Sequence, residues 1–229
     1  MEGIFVTGTD TGVGKTIVTG LLADFLSKHG YNCVTQKWVE TGSKFFSQDI
    51  KSHLKLMRKN ESFFSSHLSF MSPYVFKFPS SPHLSARLEN KIIRIEKIKK
   101  SYKYLAGKFE FVIVEGAGGV LVPINKKTFL IDIVKRLKLG VVVVVGNKLG
   151  AINHTFLTIE ALNLRKIKIL GIVFNNFLQG ENENILKDNA KIVKELSKEN
   201  ILGVLSFAKD VETLYNKFKL IGKNILKLY

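Results

Sequence analysis

Short, uniformly apolar runs separated by longer stretches with apolar residues at helical spacing recur along the chain. The first run, Ile4-Phe5-Val6, leads through a glycine-rich turn into a helical pattern from Ile17 through Leu22 and Phe25 to Leu26. That helix, about 15–28, stops at His29-Gly30, where glycine suits a helix end. A strand is expected over 32–38, then a loop rich in Gly, Ser and Thr over 39–48. Asp49 opens a helix to about residue 58, where an acid can serve as a cap. Pro73, Pro79 and Pro82, with aromatics between them, make 72–83 a long irregular connection across the ligand edge of the sheet. One or two helices follow over 84–106, ending at Gly107.

The second half repeats the theme. Residues 109–114 alternate aromatic and β-branched side chains, and 140–146 is the most hydrophobic strand. A short helix, about 129–137, separates them. The turn 147–151 launches a helix with apolar positions at Ile152, Phe156, Ile159 and Leu162 or Leu164. A strand over 167–174, a polar helix over about 181–199, a strand over 201–205 and a helix from about 210 complete the pattern. Strands alternating with helices, several of them apolar throughout, predict a mostly parallel sheet flanked by helices on both faces, with right-handed crossovers. With 229 residues and neither a linker nor an internal repeat, the expectation is one P-loop NTPase-type α/β domain over 1–229.

The turn after the first strand is Gly8–Thr16, GTDTGVGKT. Strand, glycine-rich turn and helix is the order a phosphate-binding loop requires. Its backbone N–H groups point inward at phosphate oxygens, aided by the helix dipole. Lys15 would reach the β- and γ-phosphates and Thr16 a bound Mg²⁺. Five residues lie between Gly8 and Gly14, one more than usual, so the standard pattern returns only if Thr9 replaces the first glycine. Lys37 sits near the C-terminal end of the second strand, where ligands gather in parallel sheets. The strand over 109–114 delivers Glu115 into Gly116-Ala117-Gly118-Gly119, the layout of a Mg²⁺-associated acid.

Composition changes the picture little. The net charge is +16, which raises the question of nucleic acid. Lysine far outnumbers arginine, however, and the lysines are scattered, so the densest basic run, 91–108, reads as a solvated helix face. No nucleic-acid partner is expected. No apolar stretch reaches membrane-spanning length, and the first residues run directly into a strand with no secretory leader. Cys33 is the single cysteine, which excludes an internal disulfide and fits a reducing, cytoplasmic setting. The histidines lie far apart, so no zinc site is expected.

Taken together, GTDTGVGKT, Lys37 followed by Val39, Thr41 and Gly42, SPYVFKFPSSPHLSA, VEGAGGVLVPI and VVGNKLGAINHTFLT resemble the dethiobiotin synthetase family, in order as far as Asn176. The resemblance implies ATP- and Mg²⁺-dependent ring closure, joining CO₂ to 7,8-diaminononanoate through a carbamate and a carbamic-phosphoric anhydride. It implies roles for Lys15 and Lys37 at the reacting groups and for Thr11 near the transferring phosphoryl group. Thr16, Asp49 and Glu115 match the metal-associated positions. ATP would lie along Gly12, Val13, Gly14, Lys15, Thr16, Ile17, Asp49, Glu115, Gly116, Ala117 and Gly118. The base would meet Asn175, Asn176, Ser206, Phe207 and Ala208. Thr41 takes the place of a substrate-contacting serine. Gly150, Ala151, Ile152 and Asn153 match a region holding the substrate carboxylate across a homodimer interface.

The chain departs from the family at Trp38, where proline is usual, and at Glu40, which adds a negative charge beside the substrate loop. Ser206-Phe207-Ala208 also lacks the usual proline. The main alternative is a partitioning-type switch ATPase, whose loop carries an early lysine where this chain has Thr11. A cobyrinate-type amide synthetase would need a glutamine-hydrolysing domain and cysteine that this sequence lacks.

Overall fold

The computed structural model describes residues 2–177 and 180–229. The first half runs β1 (Glu2–Gly8), α1 (Lys15–Lys28), β2 (Cys33–Lys37), β3 (Val39–Thr41) and α2 (Gln48–Leu56). A 3-10 turn at Glu61–Phe64 is followed by α3 (Leu68–Met71), β4 (Tyr74–Phe76), α4 (Pro82–Leu88) and α5 (Ile95–Ala106). Then come β5 (Phe111–Glu115), β6 (Pro123–Asn125), β7 (Thr128–Phe129), α6 (Leu130–Leu137) and β8 (Gly140–Gly146). The chain continues through α7 (Ala151–Leu164), β9 (Ile169–Asn176), α8 (Glu183–Ser197), β10 (Ile201–Ser206) and α9 (Val211–Leu226).

Six strands form one parallel sheet in the order β10-β9-β8-β1-β5-β2. Val141–Val145 of β8 are all 0% exposed. Successive strand residues point to opposite faces, so complete burial of five in a row requires cover on both sides. Helices α1 and α9 pack together against the sheet, with α2 beside α1; α5 packs on β5, and α7 lies on β8 next to α8. Helix α5 buries Ile98, Tyr102 and Leu105 while Lys97, Lys100 and Lys103 face solvent. Because the strands are parallel, the residues that follow β1, β2, β5, β8, β9 and β10 share one edge, and the site is built there.

Two expected loops contain short strands. Val39–Thr41 pairs in parallel with Tyr74–Phe76, forming a second, two-stranded sheet. The first lies inside the expected 39–48 loop and the second inside the proline-rich connection, where three-residue strands show no readable alternation. The β6–β7 hairpin had no sequence expectation, and α6 starts just after it with Phe129 at its N-cap. The β9 strand runs further than expected and takes in Asn175 and Asn176. Helix α2 is capped by Ser47, whose side chain accepts from the Ile50 amide. Asp49 is therefore inside the first turn instead of capping it, and its carboxylate is available to the sheet edge.

Candidate active site

Gly8 is the last residue of β1, in register with Val144, and the Thr9 amide donates to the Val144 carbonyl at 3.0 Å. The turn proper thus begins at Thr9, which occupies the first-glycine place of the shorter pattern. Gly14 closes the loop as the α1 N-cap with a left-handed backbone, φ 98°. Only glycine reaches that conformation cheaply, and a Cβ there would also collide with the Asn175 amide. Lys15 curls back over the loop and donates to the Asp10 carbonyl at 2.8 Å. Burial, reinforced by the nearby Lys37 charge, lowers its ammonium to about 8.

Two strand ends supply the opposing charges. Lys37 at the end of β2 lies 2.6 Å from Asp49 Oδ2 and 2.8 Å from Glu115 Oε1, and also donates to the Gly116 carbonyl. Burial opposes the Lys37 ammonium, but Glu115 and Asp49 outweigh it and hold its pKa above the ordinary lysine value. Burial would likewise raise Glu115, yet Lys37 and a hydrogen bond from His53 hold its carboxyl down to about 2. The Thr16 hydroxyl donates toward Glu115 Oε1 at 3.1 Å and Asp49 Oδ1 at 3.2 Å. One hydroxyl and two carboxylates from α1, α2 and β5 thus converge, a hard-oxygen set that fits Mg²⁺ with water completing its shell.

Around these groups is a cavity of about 360 Å³, lined by Thr11, Gly12, Gly14, Lys15, Thr16, Lys37, Val39, Glu40, Thr41, Asp49, Glu115, Ala117 and Gly118. Most of the expected catalytic, metal and phosphate-loop positions therefore meet in one place, with Thr41 beside them. Val13 is buried beneath the loop, near both Gly8 and Gly146, and Ile17 is half-buried on α1. Gly116 itself does not line the cavity; it packs on β1, where a Cβ would come within 2.8 Å of the Phe5 ring.

The remaining expected positions lie farther along the edge. Asn175 is buried and donates its side-chain amide to the Val13 carbonyl at 2.9 Å, so it braces the loop. One of its two N–H donors is thereby engaged, while the second N–H and the carbonyl oxygen carry no bond to the loop. Asn176 accepts from Asn147 Nδ2 at 2.8 Å, and its backbone carbonyl receives the Phe207 amide. Ser206 sits opposite Asn176 in the ladder, with Phe207 exposed and Ala208 half-buried beyond it. Gly150, Ala151, Ile152 and Asn153 begin α7 and do not line the cavity that holds Lys15 and Lys37.

Glu40 behaves differently from the free charge expected beside the substrate loop. It is buried and accepts from the Ser43 hydroxyl at 2.6 Å, the Ser47 hydroxyl, and the Gln48 and Asp49 amides at 2.6 and 3.3 Å. Its charge organises the turn that carries Asp49. Trp38, where proline is usual, is buried against Phe5 and donates to the Gln36 side chain.

Three residues escaped sequence reasoning. His53, one turn after Asp49 on α2, reaches Glu115; the i, i+4 spacing on a helix was the available signal. Asn147 and Asn189 join Asn176 in a buried amide network that ties the turn after β8 to α8. Asn189 is a polar position on a polar helix, and nothing in its local pattern marks it as buried.

A parallel sheet with a phosphate-type loop, two lysines and two carboxylates at one edge defines a P-loop NTPase-fold protein. The MinD cell division protein of Aquifex aeolicus shares this fold, with a TM-score of 0.59 at 15% identity over 100% of this chain and 97% of that one. A family model described as an AAA domain matches residues 2–213. The ATP-dependent dethiobiotin synthetase BioD of Methanococcus vannielii is 39% identical over 207 residues, covering 90% of this chain and 94% of the relative. The synthetase of the same name from Endomicrobium trichonymphae is 38% identical over 88% of this chain and 91% of its own length. The chain belongs to the dethiobiotin synthetase family.

Proposed function

We propose that the chain is an ATP-dependent dethiobiotin synthetase, a cyclo-ligase that forms carbon–nitrogen bonds, with residues 1–229 acting as one P-loop domain. The observation that carries this reading is the convergence of Lys15, Thr16, Lys37, Asp49 and Glu115 on one cavity in a member of this family. One amine of 7,8-diaminononanoate takes up CO₂ as a carbamate and releases a proton. A carbamate oxygen then attacks the γ-phosphorus of ATP, and ADP leaves. The second amine attacks the carbonyl carbon, its bond to the phosphate oxygen breaks, and phosphate and a proton depart as the cyclic urea closes.

Such a reaction depends on positioning and on neutralising charge spread over the transferring oxygens. Lys15 supplies a cation from the start of α1 and Lys37 one from the end of β2, and Thr11 and Thr41 add hydroxyls to the same cavity. Thr16, Asp49 and Glu115 would hold Mg²⁺, which when bound neutralises charge on phosphate oxygens. The base would lie toward Asn175, Asn176 and Ser206-Phe207-Ala208, with one Asn175 N–H engaged by the loop and the other beside its carbonyl oxygen.

The carboxylate of the substrate would meet the α7 start, Gly150–Asn153, of a second copy. Free backbone N–H groups at a helix start suit an anion. Exposed leucines support a homodimer through this helix: Leu157 and Leu164, two turns apart on α7, are 56% and 83% exposed, and Leu149 in the turn before it is 76% exposed. Cys33 is free and buried, which supports a reducing, cytoplasmic setting. No described helix is long and apolar enough to cross a membrane, and neither nucleic acid nor membrane is part of this proposal.

The test is incubation with diaminononanoate, bicarbonate and Mg-ATP followed by mass analysis. Dethiobiotin and ADP should form together. ATP turnover without dethiobiotin, under conditions where the M. vannielii relative succeeds, would sink the proposal.

A further inference from the structure

His53 is the one wholly buried imidazole in contact with the cavity's charged groups among the described residues. It is 0% exposed, and its Nε2 lies 2.7 Å from Glu115 Oε2. A carboxylate paired with the Lys37 ammonium accepts hydrogen bonds, so the Nε2 atom is assigned as the donor. The other ring nitrogen, Nδ1, is buried without a partner, so this ring makes a single polar contact, and it makes it with Glu115. The two carboxylate oxygens thereby have separate duties. Oε2 is tied to α2 through His53, while Oε1 faces Lys37 at 2.8 Å and Thr16 at 3.1 Å.

Backbone packing makes this reach possible. Gly20 of α1 faces α2 so closely that a Cβ there would meet Leu56 at 2.6 Å and the His53 Cα at 3.3 Å. The loop helix and α2 therefore approach at a glycine, which brings the imidazole under the end of β5. The same helix carries Asp49 in its first turn, four residues earlier, and α2 thus both presents one carboxylate and aims the other.

We infer that His53 is a positioning residue that aims Glu115 Oε1 at the site of the metal and phosphates. The inference rests on the assignment of Glu115 to that site. Groups bonded to a metal-associated carboxylate set its orientation, and their loss typically costs about 10–100-fold in metal affinity. His53→Leu fills similar space without a donor, whereas His53→Gln returns an N–H near the position of Nε2.

The test measures Mn²⁺ affinity by electron paramagnetic resonance on the full chain, with a non-hydrolysable ATP analogue bound. His53→Leu should weaken Mn²⁺ about tenfold or more, with metal-free analogue affinity unchanged, and His53→Gln should lie nearer the wild type than His53→Leu. Where His53→Leu does not fold, His53→Asn, polar but too short to reach Glu115, replaces it in the comparison. Wild-type Mn²⁺ affinity in the donor-less variant, or equal loss in His53→Gln, overturns the inference. A wild-type protein that binds no Mn²⁺ with the analogue overturns the reading of the site and the inference with it.

Discussion

Lys37 and Glu115 occupy the same rung of the β2–β5 ladder, and their side chains meet 2.8 Å apart. Their pairing is thus fixed by strand register. A slip of one residue would send one of the two side chains to the opposite face of the sheet. Both strands are buried along their whole length, which pins the register from both faces. The charges of the site are therefore set by the same packing that holds the core.

Removing Lys37 should expose that coupling. The Lys37→Ala protein should keep ATP binding, because the loop and Lys15 remain, while dethiobiotin formation falls by about 10²–10³-fold. It should also lose about 3–5 kcal/mol of stability, since a buried Glu115 is left without its cation. Urea unfolding and steady-state turnover measure the two effects. A fully active variant would show that Lys37 does not face the reacting groups.

Glu115 should make the protein acid-sensitive in a defined window. Its carboxyl is depressed from the ordinary 4.5 to about 2 in the folded state. The unfolded chain therefore takes up the proton first, and stability is lost as pH falls from about 4.5 toward 2. The full contribution, about 3 kcal/mol, is present above that window. Urea midpoints followed through it should fall less steeply for Glu115→Gln than for the wild type. Identical slopes would mean that Glu115 is not held by its neighbours in solution.

Lys15 titrates on the other side of neutrality. At a pH near its lowered value of about 8, part of the population is neutral. A bound polyphosphate favours the ammonium, so ATP binding at that pH should draw protons from the buffer. Calorimetry in buffers of different ionisation enthalpy reads this uptake directly. Lys15→Arg, charged throughout, should bind without it. Equal uptake in both proteins would assign the proton to another group.

The six-stranded sheet was legible because β1, β5, β8 and β9 are buried along most of their length and read as apolar runs that end at glycine or polar residues. The loop and Glu115 were legible for the same reason, as each falls where an apolar run ends, and Lys37 stood out by its place near the end of the second strand. Residues 39–49 were not. Glu40 looked like an intruding charge because its four partners, Ser43, Ser47 and two backbone amides, gather only when the turn folds back on it. His53 was hidden differently: its contact with Glu115 spans 62 residues, and α2 packs against α1 with a close approach at Gly20. Local pattern gives the face of a helix, and it does not give the depth to which a neighbouring glycine lets that face sink.

Glu40 supplies a further test. Glu40→Ala would leave the Ser43 and Ser47 hydroxyls and two amides without their acceptor, at a cost of about 2–3 kcal/mol. Because the same turn places Asp49, turnover should fall alongside stability. A rise in the Mg²⁺ concentration needed for half-maximal activity would trace the loss to Asp49 specifically. Unchanged urea midpoints would mean that the turn is held by other contacts.

The last prediction concerns the leucines of α7. Leu157 is 56% exposed and borders a shallow cavity with Leu121, His154 and Thr158; Leu164, two turns further along α7, continues the apolar stripe, and Leu149 lies in the turn before the helix. A charge at the middle of such a stripe would have to be desolvated on association, which is far costlier than leaving a leucine in water. Leu157→Asp should therefore be monomeric by sedimentation velocity at concentrations where the wild type is dimeric. Leu157 does not line the cavity holding Lys15 and Lys37, so ATP affinity should be retained. If Gly150–Asn153 of a second copy binds the carboxylate, the monomer should show a raised KM for diaminononanoate and an unaltered KM for ATP. A monomer with wild-type KM for both would separate the dimer from the substrate site, and an unaltered dimer would place the interface elsewhere.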